Sequence, residues 1–157
     1  MAQVKPFDYY EQDMASAFAG MKANTTVDVV DSYPAASGID AGEAVVRAAD
    51  PAKVRAVTDT DNGANVIGIA VHVHKEPGAT LYSEGDSVSV MSFGDIYIKA
   101  GSDVTAGNAA AIDKVSDAMA IIAKDATGDT TYRSDLPSVT FMDSGSAGDI
   151  VRVRIRK

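Results

Sequence analysis

The residues whose types and spacing bear on chemistry are two histidines and a scatter of carboxylates. His72 and His74 lie two apart in an extended run, so both side chains leave one face, as chelation of a metal requires. Glu76 follows at the same spacing. A complete site needs a further ligand, and the chain has no third histidine and no cysteine. The simpler reading is a pair of solvent-facing strand residues opposite Val71 and Val73. Asp59, Asp61, Asn62 and Gly63 begin like a calcium loop, but the glycine comes one place early and Ala70 stands where the closing glutamate belongs. A type I′ hairpin turn at Asp61-Asn62-Gly63 explains the same residues without a metal. No carboxylate is embedded in an apolar run that would raise its pKa, and neither a Gly-x-Ser-x-Gly nor a phosphate-binding glycine loop occurs. The reading is therefore no catalytic residues, no metal and no cofactor.

Charge narrows the partners. The chain of 157 residues carries a net charge of −8, which repels nucleic acid and anionic membranes. Its C-terminal strand alternates Arg152, Arg154 and Arg156 with Val151, Val153 and Ile155, giving one basic and one buried face. In so acidic a chain, that basic face reads as a salt-bridge partner within or between subunits. Met1 to Tyr10 lacks the apolar core of a signal peptide, and no stretch approaches the roughly 20 apolar residues of a membrane span. The expectation is a soluble protein made in the cytoplasm, with no nucleic acid and no membrane as partner.

The elements that position these residues are announced by one phrase that occurs four times: glycine, an acidic or amide residue, then small or aliphatic residues. It reads Gly42-Glu43-Ala44-Val45-Val46, Gly85-Asp86-Ser87-Val88, Gly107-Asn108-Ala109-Ala110 and Gly148-Asp149-Ile150-Val151. Glycine admits a positive φ, the next side chain bonds nearby backbone amides, and the β-branched residues favour a strand. Strands are expected at 27–30, 43–47, 54–58, 66–74, 88–91, 96–99, 109–112, 118–123, 139–142 and 150–155. Ser32-Tyr33-Pro34 reads as a break, Ser92-Phe93-Gly94-Asp95 as a hairpin turn, and 124–137 as an exposed loop. Such spacing predicts an all-β fold, a small β-barrel or β-sandwich. Residues 1–24 form an extended, partly helical N-terminal arm, and 25–157 a single β-domain. Phe7, Tyr9, Tyr10, Phe18 and Tyr33 are five of the ten aromatic residues, six Tyr and four Phe. Tyr10, Met14, Phe18 and Met21 fall at helical intervals that Gly20 would end.

The central block resembles the structural cement, or capsid decoration, proteins of tailed bacteriophages. The residues that carry the resemblance are Val66-Ile67-Gly68-Ile69-Ala70-Val71, Tyr82 to Val90, Gly94-Asp95-Ile96-Tyr97-Ile98 and Val104-Thr105-Ala106-Gly107-Asn108, in that order. Ala19-Gly20-Met21-Lys22-Ala23 and the Gly42 phrase fit the family's usual beginning. Asn108 replaces the usual Asp, and Ala109-Ala110-Ala111 is less branched than the family pattern. The Gly85 phrase also resembles lipoyl carrier domains, but those need a lysine at the hairpin tip, and Lys99 lies beyond it.

The cement resemblance implies a protein that binds the major capsid protein on the outer surface of the virion and bridges neighbouring subunits. It implies no enzyme, and self-association as a homotrimer, with a dimer as second choice. The contact residues expected are Val4, Pro6, Phe7, Tyr9, Tyr10, Met14 and Phe18 of the arm, with Arg152, Arg154 and Arg156. Gly42, Gly85, Asp86, Gly94, Gly107, Gly148 and Asp149 are expected as structural turns. Two other classes stay open: a metal-binding β-barrel enzyme centred on His72 and His74, and a virion fibre or adhesion module.

Overall fold

The computed structural model describes residues 17–24, 27–74, 81–127 and 132–157. The chain is all-β, with nine strands among the described residues: β1 (Val29–Pro34), β2 (Ala44–Arg47), β3 (Val54–Ala56), β4 (Val66–Ala70), β5 (Ser87–Lys99), β6 (Ala109–Val115), β7 (Ala118–Ala123), β8 (Ser134–Phe141) and β9 (Ile150–Arg156). They pair antiparallel in the order β3-β2-β4-β5-β9-β8-β6-β7, and β1 also pairs with β5. The sheet curls into a half-barrel. Past the end of β5, Ala100 bridges Ile121 of β7, and the Gly101 amide donates to the Ile121 carbonyl at 2.9 Å. Alternating side chains of β2 and β4 serve two cores. Ala44, Val46, Ile69 and Val71 enter the larger one, with β9's Val151, Val153 and Ile155. Val45 and Ala70 face a smaller core around Ile39, Val54, Tyr82, Val88 and Val90.

The repeated glycine phrase is one device used four times. In each turn the fourth residue's amide donates to the first carbonyl: Glu43 to Asp40 at 3.4 Å, Asp86 to Ser83 at 3.0 Å, Asn108 to Thr105 at 2.9 Å and Asp149 to Ser146 at 3.0 Å. The same fourth side chain reaches back to accept from the first amide, at 2.9, 2.8, 2.7 and 2.9 Å. Gly42, Gly85, Gly107 and Gly148 hold the third place with φ between +82° and +94°, the type II requirement. Each turn is thus closed twice, by backbone and by side chain. Asp40, Ser83, Thr105 and Ser146 are its first residues.

The expected hairpin at Ser92 to Asp95 does not exist; these residues lie inside β5, a continuous strand of 13 residues. Val29 pairs with Phe93 and Val30 with Met91, so Ser92 is an extra residue in a bulge. The insertion shifts the alternation. Val88 and Val90 point to the small core, whereas Ile96 and Ile98, of the same parity, point to the large one. Gly94 sits at this bend with φ +134°, and a Cβ there would meet the Asp28 Cβ at 2.9 Å. A glycine and a polar pair mimic a turn while serving a kinked strand.

Three other expectations change for similar reasons. Asp61-Asn62-Gly63 is no hairpin, because β2 lies between β3 and β4. Asn62 instead caps the 3-10 turn Gly63–Asn65, its side chain accepting from the Ala64 amide at 2.9 Å. Pro34 does not break β1: it ends that strand opposite Ser87, at the sheet margin where its missing N–H is harmless. The expected loop at 124–137 already contains the start of β8, and Leu136 is buried. Between Ala109↔Thr140 and Ala110↔Leu136 the register slips, and Ser138 takes φ +66°. Pro137 and Ser138 thus mark a bulge rather than a loop.

Part of the expected arm joins the sheet. The Gly20 amide donates to Tyr97, the Tyr97 amide to Met21 and the Ala23 amide to Asp95, at 2.7, 2.9 and 3.0 Å. The last turn of the expected helix, Phe18–Met21, is a β-turn with Gly20 at φ +82°. Tyr10 and Met14 lie outside the described residues.

Candidate functional site

The basic face of β9 is largely spent on the protein's own carboxylates. Arg154 lies opposite Asp95 of β5 and donates to it twice, from Nε at 2.7 Å and Nη2 at 2.9 Å. The Asn24 amide adds a third bond at 3.0 Å. Asp95 is 4% exposed, and the Arg154 guanidinium holds its carboxyl below the usual carboxylate range against the opposing effect of burial. Arg152 pairs with Asp143 at 3.5 Å. Arg156, opposite Phe93 at the exposed end of β9, turns to the surface.

Around Arg156 the surface is apolar. Val27 is 81% exposed, Val29 44% and Phe93 39%. Val27, Phe93, Arg154, Ile155 and Arg156 line a shallow hollow of about 280 Å³. A large exposed apolar group rimmed by guanidinium has the make-up of an interaction surface. Arg154 and Arg156 were expected here; Phe93 was not, because its neighbours mimic a turn. The placement of Phe93 on an outer face depends on the Ser92 bulge, which no local pattern reveals.

Phe18 does not line that hollow; its ring packs edge-on against His72 with centroids 4.6 Å apart. Val4, Pro6, Phe7, Tyr9, Tyr10 and Met14 lie outside the described residues, as does Glu76. His72 and His74 are both exposed. Among the described residues no group of three or more His, Asp or Glu side chains could hold a metal ion. The calcium-like carboxylates are occupied by cations of the protein itself. Asp61 takes both Arg55 Nη atoms at 2.6 and 2.8 Å and the Thr58 amide at 2.7 Å, and Asp59 pairs with Lys114 at 3.7 Å. The Arg55 bonds pull the Asp61 pKa down to about 2.

A second concavity went unseen in the sequence. A groove of about 560 Å³ lies beside the Gly42 and Gly148 turns and the β6–β7 hairpin. Its walls are mostly small or aliphatic, with Glu43 and Lys99 as the charged residues. Burial pushes the Glu43 carboxyl above its ordinary pKa, with the Asp40 amide opposing. Alanines scattered over three strands, three turns and the residue just past β5 build this groove, and no local spacing announces it.

The geometry is that of a curled β-scaffold with surface features and no assembled catalytic set among the described residues. A structure described as the capsid of Myoviridae phage XM1 has the same fold, with a TM-score of 0.73 at 17% identity, covering 95% of this chain and 96% of the other. The crystal structure of the head fiber gp8.5 N base in bacteriophage phi29 matches at a TM-score of 0.42 and 15% identity, over 82% and 94% of the two chains. No curated protein matches the chain. The family model for structural cement protein (E217 gp24/Pam3 gp6) matches residues 7–156, and the chain belongs to that phage structural cement family.

Proposed function

We propose that the protein is a cement protein of a phage head, binding the outer capsid surface and bridging neighbouring major capsid protein subunits. The observation that carries this reading is the match to the structural cement family over residues 7–156. Binding that spans subunits stabilises the assembled shell and not its parts, because only the assembly offers both contact surfaces. An interface of roughly 1,600 Å², repeated over the shell, is ample for this. Two surfaces supply it: the leading residues Val4, Pro6, Phe7, Tyr9, Tyr10 and Met14, and the patch of Val27, Val29, Phe93 and Arg156. Aromatic side chains give large contact area at low entropic cost, and arginine adds a fork of hydrogen-bond donors. Arg154, which lines the same hollow, and Arg152 on the same face of β9 flank this surface, held in place by Asp95 and Asp143. Self-association as a homotrimer suits local three-fold positions of a shell.

Co-sedimentation with emptied capsids tests the reading. The full chain pellets with shells. A Phe93→Ser/Arg156→Glu variant binds at least tenfold more weakly while keeping its β circular dichroism, and deletion of residues 2–16 abolishes pelleting. The deletion stops short of Phe18 because that ring packs on His72. Unchanged pelleting of both variants would move the contact elsewhere.

A further inference from the structure

The groove beside the Gly42 and Gly148 turns is the seam at which the sheet fails to close. β3 and β7 are the two ends of the strand order, and both line it, Ala56 on one side and Ala118 to Ile121 on the other. Register decides which backbone groups face the seam. The two-residue loop Ser116-Asp117, with φ 50° and 65°, joins β6 to β7, so Val115 and Ala118 exchange both bonds across the hairpin. Alternation then turns Ala118 and Ala120 toward β6, and Met119, Ile121 and Ala123 outward. Two bonds agree: the Gly101 amide donates to the Ile121 carbonyl at 2.9 Å, and the Ala123 amide to Ser102 Oγ at 3.1 Å. Just past β3, the Val57 amide donates inward to the Ala44 carbonyl at 3.0 Å, so Val54 and Ala56 face outward. The Val54 carbonyl accordingly accepts from the Ala36 amide at 2.7 Å. Each edge is thus covered at its far end by the chain itself and left bare beside the groove. The Met119 amide and carbonyl and the Ala56 amide have no backbone partner among the described residues.

We propose that the seam takes up one extended strand of a capsid subunit, which pairs with β7 at Met119 and meets the Ala56 amide on its other side. The inference rests on the cement reading and adds a third contact to it. An apolar small molecule would leave the edge groups unpaired, whereas an extended backbone satisfies them. Ala100 and Gly101 already lie along the same β7 edge in parallel, so the edge accepts a strand. The Glu43 carboxylate at the groove accepts from the Asp40 amide at 2.9 Å and meets no cation among the described residues. Burial holds it above its ordinary pKa, and a lysine or arginine on the incoming strand would relieve that cost. A second copy is the poorer donor. Its nine described strands are all paired already, and it carries the same net charge of −8.

Proline lacks an N–H, so Met119→Pro removes the outward donor and spares the β6–β7 ladder, a placement that edge strands tolerate. The full-length variant should keep a cooperative melt and pellet with emptied capsids about tenfold more weakly than the unmodified chain. Glu43→Gln keeps an acceptor for the Asp40 amide, and should also bind about tenfold more weakly although it melts at a higher temperature; it carries the test should the proline variant misfold. Hydrogen exchange, quenched and read residue by residue, reports the contact itself. The Met119 amide should exchange fast in the free protein and about tenfold more slowly on saturated shells, with Ala118 and Ala120 protected in both. Full pelleting by the folded proline variant, or a Met119 amide that exchanges as fast on shells as off them, would overturn the inference and leave the cement reading intact. Failure of the unmodified chain to pellet would remove both. Slow exchange at Met119 without shells would also overturn it, assigning the seam to the chain itself if independent of concentration and to a second copy if it grows with concentration.

Discussion

Asp95 shows how a residue can be legible in type and hidden in role. Its partner Arg154 is 59 positions away, so only the β5–β9 register brings them together. The alternating arginines were plain in the sequence; the carboxylate that engages one of them was not. Asp95→Ala should cost about 2 kcal/mol, the range for charge-assisted bonds lost from a site open on the arginine side. Chemical denaturation checks this, and prior loss of Arg154 should shrink the effect. The pH dependence follows from the depressed carboxyls. Asp61 and Asp95 have folded pKa values below their unfolded ones, so their stabilisation is complete above about pH 4 and fades as pH falls, for Asp61 toward about 2. Glu43 acts in the opposite sense: its raised folded pKa lowers stability as pH rises through that value. Glu43→Gln should therefore raise the Tm at pH 7 and leave it nearly unchanged at pH 3.5, as read by thermal melts.

At the scale of elements, the repeated glycine phrase was the part of the fold best written in the sequence. The turn is local: four residues contain every group needed to close it, so spacing alone identifies it. Bulges are not local. Ser92 and the Pro137–Val139 segment are extra residues only relative to a partner strand, and their polar or proline content imitates loops. The same distinction separates the glycines. A Cβ at Gly85 meets nothing within 4 Å, so Gly85→Ala should cost about 1 kcal/mol for the positive φ alone. At Gly94, φ of +134° combines with the Asp28 Cβ and Met91 sulfur close by, and Gly94→Ala should cost about 3 kcal/mol. Urea unfolding of the two variants gives the comparison; equal costs would mean that β5 relaxes freely at its bend. Asp149→Ala, which opens the side-chain closure of one turn, should cost about 1 kcal/mol.

For the whole molecule, an acidic β-scaffold with an apolar, arginine-rimmed patch among the described residues fits the structural role of the phage cement family. The family could be read in the order of the central phrases, because turns and short strands were kept together with their spacing. The groove and the Phe93 patch could not, since each is assembled from residues far apart in sequence. On the proposed reading the patch's arginine should make shell binding weaken as salt is raised, while the apolar part should persist at 0.5 M salt. Bridging makes the sharpest demand. Binding of the protein to assembled, emptied shells should be measured beside binding to the same capsid protein as unassembled subunits. Saturable binding to shells with at least a hundredfold weaker binding to subunits is the predicted result; equal affinity for both, or none for shells, would contradict it.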